Sequence, residues 1–250
     1  MITLTGVRKS FGEQVVLDRV NFEVQEGETV ALMGPSGSGK SVLLKHINGL
    51  LRPDAGSVKV DGTEVPTLNR QQLAELRTRI GYVFQNGALF DSMNVFENVR
   101  LGITDEAKYR DLDYAQERVR ECLRLVNLQP VEMQKLPAQL SGGMRKRVGI
   151  ARAIAGSPKY LLYDEPTSGL DPVNADVIDE LVMRLEQELG VTSVMVTHDV
   201  RGAFKVADRL ALLYDSTIVL QATPEEFRES KDPRVRAFLE RDFDTTPYAA

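Results

Sequence analysis

The sequence predicts an α/β fold: a parallel sheet core covered by helices, an antiparallel β-subdomain ahead of it and a helical subdomain inserted into it. Three observations predict it. Strand-like apolar runs alternate with helical patterns through most of the chain, as βαβ units with parallel strands require. Residues 1–30 instead alternate apolar and polar positions around turn residues. The octapeptide Gly34-Pro35-Ser36-Gly37-Ser38-Gly39-Lys40-Ser41 lies where a strand hands over to a helix, the setting of a phosphate-binding loop.

Taken in order, Ile2, Leu4 and Val7, then Val20, Phe22 and Val24, alternate with polar residues around turns at Phe11-Gly12 and Glu26-Gly27, which predicts antiparallel strands. Thr29 to Met33 is the strand before the octapeptide, and Val42 to Lys45 belongs to the helix after it. Gly56 to Val60 and the segment around Thr63 to Val65 form a second strand pair, and Asp61-Gly62 between them is a strong hairpin signal. Gln71 to Arg79 reads as a short polar helix, followed by a strand at Ile80 to Phe84. Between about 88 and 158 the pattern is helical: Asn94 to Leu101, Tyr114 to Val126 with apolar residues three and four apart, and a helix opening at Ser141. A strand at Tyr160 to Tyr163, a helix from Val173 to Leu189 and a strand at Ser193 to Val196 continue the core. A charged helix is expected around Arg234 to Arg241, ahead of a disordered polar end.

The 250 residues suffice to bury one α/β core with an appended subdomain. A net charge of −5 and the lack of a lysine/arginine run argue against nucleic acid as a partner. No apolar stretch approaches the ~18 residues of a membrane span, and Met1 to Val7 lacks the pattern of a signal peptide, so the chain is expected to be cytosolic and soluble. Cys122 is the single cysteine, which excludes an internal disulfide. It shares a helical face with Val119, Leu123 and Val126 and reads as core.

Within the octapeptide, Gly37 and Gly39 leave backbone N–H groups accessible to a polyphosphate, and the new helix turns its positive dipole end to the same anion. Lys40 adds a positive charge for the β- and γ-phosphates, and Ser41 a hydroxyl for Mg²⁺. Asp164 and Glu165 end an apolar strand, where a parallel sheet faces its ligand crevice. Phosphoryl transfer to water needs a held metal, suited to Asp164, and an oriented water, suited to Glu165. His198 also emerges at a strand end and could hydrogen-bond a γ-phosphate oxygen; His46, inside the helix after the loop, is assigned no chemistry. Gln85, at the end of its strand, carries a donor and an acceptor for metal, water or a neighbouring segment. Ser141, Gly142 and Gly143 open a helix with a capping serine and two glycines, a second anion-binding start. One nucleotide has little use for two such starts in one chain, whereas two chains packed head to tail could each lend one.

The ordered set formed by Gly34 to Ser41, Gln85, Leu140 to Met144, Asp164-Glu165, Ser168 to Asp171 and His198 resembles the nucleotide-binding subunit of ATP-binding cassette (ABC) transporters. The resemblance covers about residues 1 to 225, the expected ABC ATPase domain with its helical insert at about 88–158; a C-terminal helix and a flexible tail would fill 226–250. It implies a P-loop NTPase core of RecA type that hydrolyses ATP with Mg²⁺ held by Ser41, Gln85 and Asp164. It also implies two copies sandwiching two ATP molecules, each between one chain's phosphate loop and the other's Ser141 to Gly143. Phe11 matches the aromatic position that stacks on adenine, where the family usually has tyrosine.

Met144 stands where most members carry glutamine, and Asn86 to Val99 and Asp232 to Leu239 are similar to segments in the ATPases of bacterial Mla/MCE-type phospholipid transport systems. That subfamily implies a membrane permease, an MCE-type lipid-binding protein, a small cytosolic regulatory subunit, and a peripheral place on the inner face of the cytoplasmic membrane. Gly87 to Phe96 is expected to receive a cytoplasmic helix of the permease, since Ala88, Leu89, Phe90, Met93, Val95 and Phe96 are too apolar for an ordinary exposed loop; the alternative is that they form the core of the helical subdomain. The rival readings are a small-solute importer ATPase, a soluble ABC ATPase acting on DNA or ribosomes, and a non-hydrolysing regulatory module. The DNA and ribosome types usually carry a coiled-coil insertion or two cassettes, which this chain lacks, and the module is disfavoured by Lys40, Asp164, Glu165 and His198.

Overall fold

The computed structural model describes residues 1–243; the disorder expected of the final polar residues falls outside them. The chain groups into two compact units, one made of Met1–Asn69 and resuming at Val194, the other of Arg70–Ser193.

In the first unit, β1 (Ile2–Phe11) pairs antiparallel with β2 (Gln14–Val24) and β4 (Ala55–Val60), and β5 (Thr63–Glu64) closes a four-stranded sheet in the order β2-β1-β4-β5. Asp61 and Gly62 turn the last hairpin with φ of 48° and 76°, the paired positive φ of a type I′ turn. β3 (Thr29–Met33) is buried at every residue, as expected of a central strand, and runs parallel to β9 (Arg209–Tyr214). The order there is β10-β9-β3-β8, with β10 (Thr217–Ala222) antiparallel to β9 and the end of β8 (Thr192–Val196) beside β3. Neither β9 nor β10 was among the expected strands. Helix α1 (Lys40–Ile47) follows the phosphate loop, and α8 (Val200–Val206), α9 (Pro224–Arg228) and α10 (Pro233–Phe243) complete the unit.

The second unit pairs β6 (Ile80–Val83) in parallel with β7 (Tyr160–Asp164) and carries α2 (Arg70–Thr78), α3 (Val95–Arg100), α4 (Glu106–Arg110), α5 (Leu112–Leu125), α6 (Gly142–Ile154) and α7 (Pro172–Leu189). Helix α6 lies among α3, α5, α7 and β6. It approaches the loop after β6 so closely that a Cβ on Gly149 would sit 3.0 Å from the Gly87 Cα, so glycine there is a packing requirement. Cys122 is fully buried, and burial pushes its thiol up to about 11. No helix among the described residues is long and apolar enough to cross a membrane.

The loop ahead of α3 is built on Asn98. This fully buried side chain accepts from Phe90 N (2.8 Å) and donates to the carbonyls of Phe90 (3.1 Å), Met93 (2.9 Å) and Asn94 (3.1 Å). The apolar stretch expected to receive a permease therefore divides: Val95 is buried in the core, whereas Phe90 is 54% exposed.

Candidate active site

In the first unit, the strand β3 delivers the phosphate loop to α1. Gly39, the residue before α1, has φ 104°, and a Cβ there would come within 2.7 Å of Val16 Cγ1. Glycine is required where the chain turns here into α1, and the partial positive charge of a helix N-terminus suits an anion. Lys40, 5% exposed, donates from Nζ to the carbonyls of Gly34 (2.8 Å) and Pro35 (3.0 Å), so its ammonium lies over the loop's own backbone. Ser36 and Gly37 are exposed, and Ser38 and Ser41 half-buried. Phe11 presents its ring to solvent with the Lys9 ammonium 5.5 Å from its centroid. His198 is exposed just beyond β8, at the turn that Thr197 and Asp199 build: Thr197 Oγ1 accepts from Asp199 N (2.9 Å), and Asp199 caps α8 by accepting from Gly202 N (3.0 Å). His46 is buried, and burial lowers its pKa.

In the second unit, Glu165 leaves β7 with φ 50°, a left-handed conformation that costs a non-glycine residue about 1–3 kcal/mol. Its Oε2 accepts from Gln85 Nε2 at 3.0 Å, and the same amide reaches Ser168 Oγ at 3.2 Å. Gln85 and Glu165, 80 residues apart in sequence, thus meet side chain to side chain. Asp164 Oδ2 accepts from the Tyr82 hydroxyl at 2.9 Å. Burial, with the Asp164 charge adding to it, raises the Tyr82 pKa, so the hydroxyl remains a donor at neutral pH. Ser141 caps α6 through Oγ, which accepts from Met144 N at 3.2 Å. Gly142 is exposed, while Gly143 is buried against Asn174, whose Oδ1 would lie 3.2 Å from a Cβ at that position.

Three residues that the sequence does not single out join this arrangement. Tyr82 orients Asp164, as above. Lys146 is 7% exposed and donates to the carbonyls of Gln85 (2.9 Å) and Glu165 (3.4 Å); burial lowers its pKa and the Glu165 charge opposes that shift. Arg152 donates to the carbonyls of Ala88 (2.8 Å) and Gly87 (2.7 Å). A signal for Lys146 was present, since it shares a helical face with Gly143, Gly149 and Ile150, all buried. Nothing in the sequence marks the Tyr82 hydroxyl.

A profile of the ABC transporter family matches residues 17–168. The chain is 40% identical, over 95% of its length and 68% of the relative's, to a probable ribonucleotide transport ATP-binding protein of Mycobacterium leprae. It is 37% identical, over 93% of its length and 88% of the relative's, to the intermembrane phospholipid transport system ATP-binding protein MlaF of Haemophilus influenzae. Among solved structures, the dimeric structure of a bacterial ABC transporter cassette superposes with a TM-score of 0.82 at 37% identity, covering 90% of this chain and 99% of that one. A cassette in a post-hydrolysis state with ADP and phosphate superposes at 0.81, also at 37% identity, over the same shares of the two chains. With the phosphate loop, the capped helix at Ser141 and the Gln85–Glu165 pair in place on a P-loop NTPase fold, the chain belongs to the ABC transporter family as one of its ATP-binding, ATP-hydrolysing subunits.

Proposed function

We propose that ATP hydrolysis by this subunit drives phospholipid movement through a separate membrane permease. The observation that carries the cargo is the likeness to the MlaF protein, at 37% identity over 93% of the chain. On this reading Phe11 stacks on adenine, while Lys40 and the N–H groups of Gly34 to Ser41 bind the phosphates. Glu165 takes the proton of the attacking water, Gln85 orients that carboxylate, and His198 hydrogen-bonds a γ-phosphate oxygen. Ser141, Gly142 and Gly143 of a second copy close the same nucleotide from the other side, in a head-to-tail dimer.

No group of three or more His, Cys, Asp or Glu side chains that could hold a metal is found among the described residues. The Ser41 hydroxyl, the Gln85 amide oxygen and the Asp164 carboxylate nevertheless suit Mg²⁺, a hard ion that takes few protein oxygens and completes its shell with phosphate and water. When bound there, Mg²⁺ would neutralise phosphate charge. Tyr82 holds Asp164 in orientation for it.

The permease docks near Gly87 to Phe96, a proposal supported by the exposed Phe90. The subunit is then peripheral on the inner face of the cytoplasmic membrane, and an MCE-type lipid-binding protein and a small regulatory subunit complete the assembly. The test is to purify the membrane complex and identify its bound molecules by mass spectrometry. Phospholipid enriched over its share of the membrane is expected. A complex without lipid, whose hydrolysis a polar solute stimulates, would overturn the lipid reading in favour of a small-solute importer.

A further inference from the structure

We propose that Lys146 is a positioning residue for hydrolysis, holding the backbones of Gln85 and Glu165 so that their side chains meet. The proposal rests on the reading of Glu165 as the group that activates water. Lys146 lies inside α6, 7% exposed, and its ammonium donates to the Gln85 carbonyl at 2.9 Å and approaches the Glu165 carbonyl at 3.4 Å. A buried ammonium loses its hydration, and an apolar side chain of the same length would fill the space without that loss. The charge is therefore better explained by what it holds than by packing.

What it holds is a closed ring of contacts. The Gln85 amide donates to the Glu165 carboxylate at 3.0 Å and to Ser168 Oγ at 3.2 Å, while Ser168 N donates to the Glu165 carbonyl at 3.2 Å. Lys146 spans the two backbones of that ring. Glu165 needs such support because its φ of 50° is a conformation that an unsupported glutamate abandons. Two neighbouring contacts fix α6 against the same loop: Gly149 on Gly87, and the Arg152 guanidinium on the carbonyls of Gly87 and Ala88. Lys146 differs from these in reaching both Gln85 and Glu165, so its loss should loosen the carboxylate's placement and leave nucleotide binding alone.

The test uses the purified subunit and compares wild type, Lys146→Met, Lys146→Arg, Glu165→Gln and the double variant Lys146→Met/Glu165→Gln. Lys146→Met should lower kcat about 10- to 100-fold, the scale of a misplaced catalytic group. The Kd for nucleotide without Mg²⁺ should stay within about threefold, since the adenine and phosphate contacts are assigned to Phe11 and to Gly34 to Ser41. Lys146→Arg, which keeps donors for both carbonyls, should recover kcat to within about threefold of wild type. The double variant should turn over no more than about twofold slower than Glu165→Gln alone, because a residue acting through Glu165 has nothing left to act on. A Lys146→Met kcat within about threefold of wild type beside a dead Glu165→Gln would overturn the role of Lys146, as would losses that multiply in the double variant. Should Lys146→Met melt below the assay temperature, the comparison moves to a temperature at which it stays folded, and a kcat within about threefold of wild type there overturns the proposal equally. If Glu165→Gln itself keeps turnover, the failure lies with the assignment of Glu165 rather than with the contact.

Discussion

Replacing Asn98 by leucine tests whether one buried amide holds the loop ahead of α3, since the two side chains are close in volume but only one forms hydrogen bonds. The consequences follow from the partners. Phe90 N loses its acceptor at 2.8 Å and the Met93 carbonyl loses its donor at 2.9 Å. The Phe90 carbonyl keeps Met93 N at 3.1 Å, and the Asn94 carbonyl keeps the backbone N of Asn98 at 3.0 Å. Two groups are thus stripped, and two keep a second partner. At about 1 kcal/mol for each stripped group, and somewhat less for the loss at the other two, destabilisation should be about 2–3 kcal/mol. For a chain of this size that corresponds to a fall in Tm of roughly 5–10 °C. Thermal unfolding followed by circular dichroism reads it directly, and Asn98→Asp sharpens the comparison by keeping an acceptor for Phe90 N while aiming a buried charge at carbonyl oxygens. A Tm for Asn98→Leu within about 2 °C of wild type would refute the claim that this amide organises the loop.

Glu165→Gln should retain ATP affinity and lose roughly 10²–10⁴-fold in turnover, because an amide cannot accept the proton of water; steady-state hydrolysis near the wild-type rate would remove Glu165 from its role. In a crosslinked mixed dimer, Lys40→Ala in one protomer and Ser141→Arg in its partner should leave one nucleotide bound, because both lesions fall in one composite site; one retained nucleotide with both changes in a single chain, and none with them split, would defeat the head-to-tail arrangement. Phe90→Asp should release the subunit from the membrane complex while it stays folded; a large fall in Tm would mean instead that Phe90 belongs to the core. Burial lowers the His46 pKa, with the nearby Lys9 charge assisting and Asp54 opposing, so the unfolded chain binds a proton more readily than the folded one and stability should decline as pH falls below about 6.5. Comparing melting at pH 7.5 and 5.5 checks this, and His46→Asn should show a smaller decline; an equal decline in both proteins would assign the effect to other groups.

The phosphate loop was legible because its chemistry dictates residue types at fixed spacing, and the Asp61-Gly62 hairpin because few pairs tolerate positive φ twice in succession. Strands β9 and β10 are poorly marked in the sequence, although Arg209–Tyr214 and Thr217–Ala222 flank Asp215 and Ser216, which turn with φ of 46° and 64°. Aspartate followed by serine is a weaker turn signal than aspartate followed by glycine. Helix α4 has no buried residue, and so no apolar face to announce it. In the stretch from Ala88 to Phe96, composition gives the apolar content but not which side chain turns inward; Asn98, whose position decides that, reads in the sequence as an ordinary polar helical residue. The site divides in the same way. Gln85 and Glu165 could be named from their strand ends, but a contact between residues this far apart in sequence depends on the tertiary arrangement, and so does the partner of a buried lysine.

The environment of Cys122 decides how thiol chemistry can be used on this protein. With the side chain fully buried and its pKa near 11, only about one thiol in 10⁴ is ionised at pH 7, and that one is shielded from reagents. The native chain should therefore react slowly with maleimides and thiol crosslinkers, which a labelling time course checks. A cysteine introduced at an exposed position outside the nucleotide site, such as Val131, would be the sole reactive thiol, so spectroscopic probes can be installed without first repacking the helix that carries Cys122.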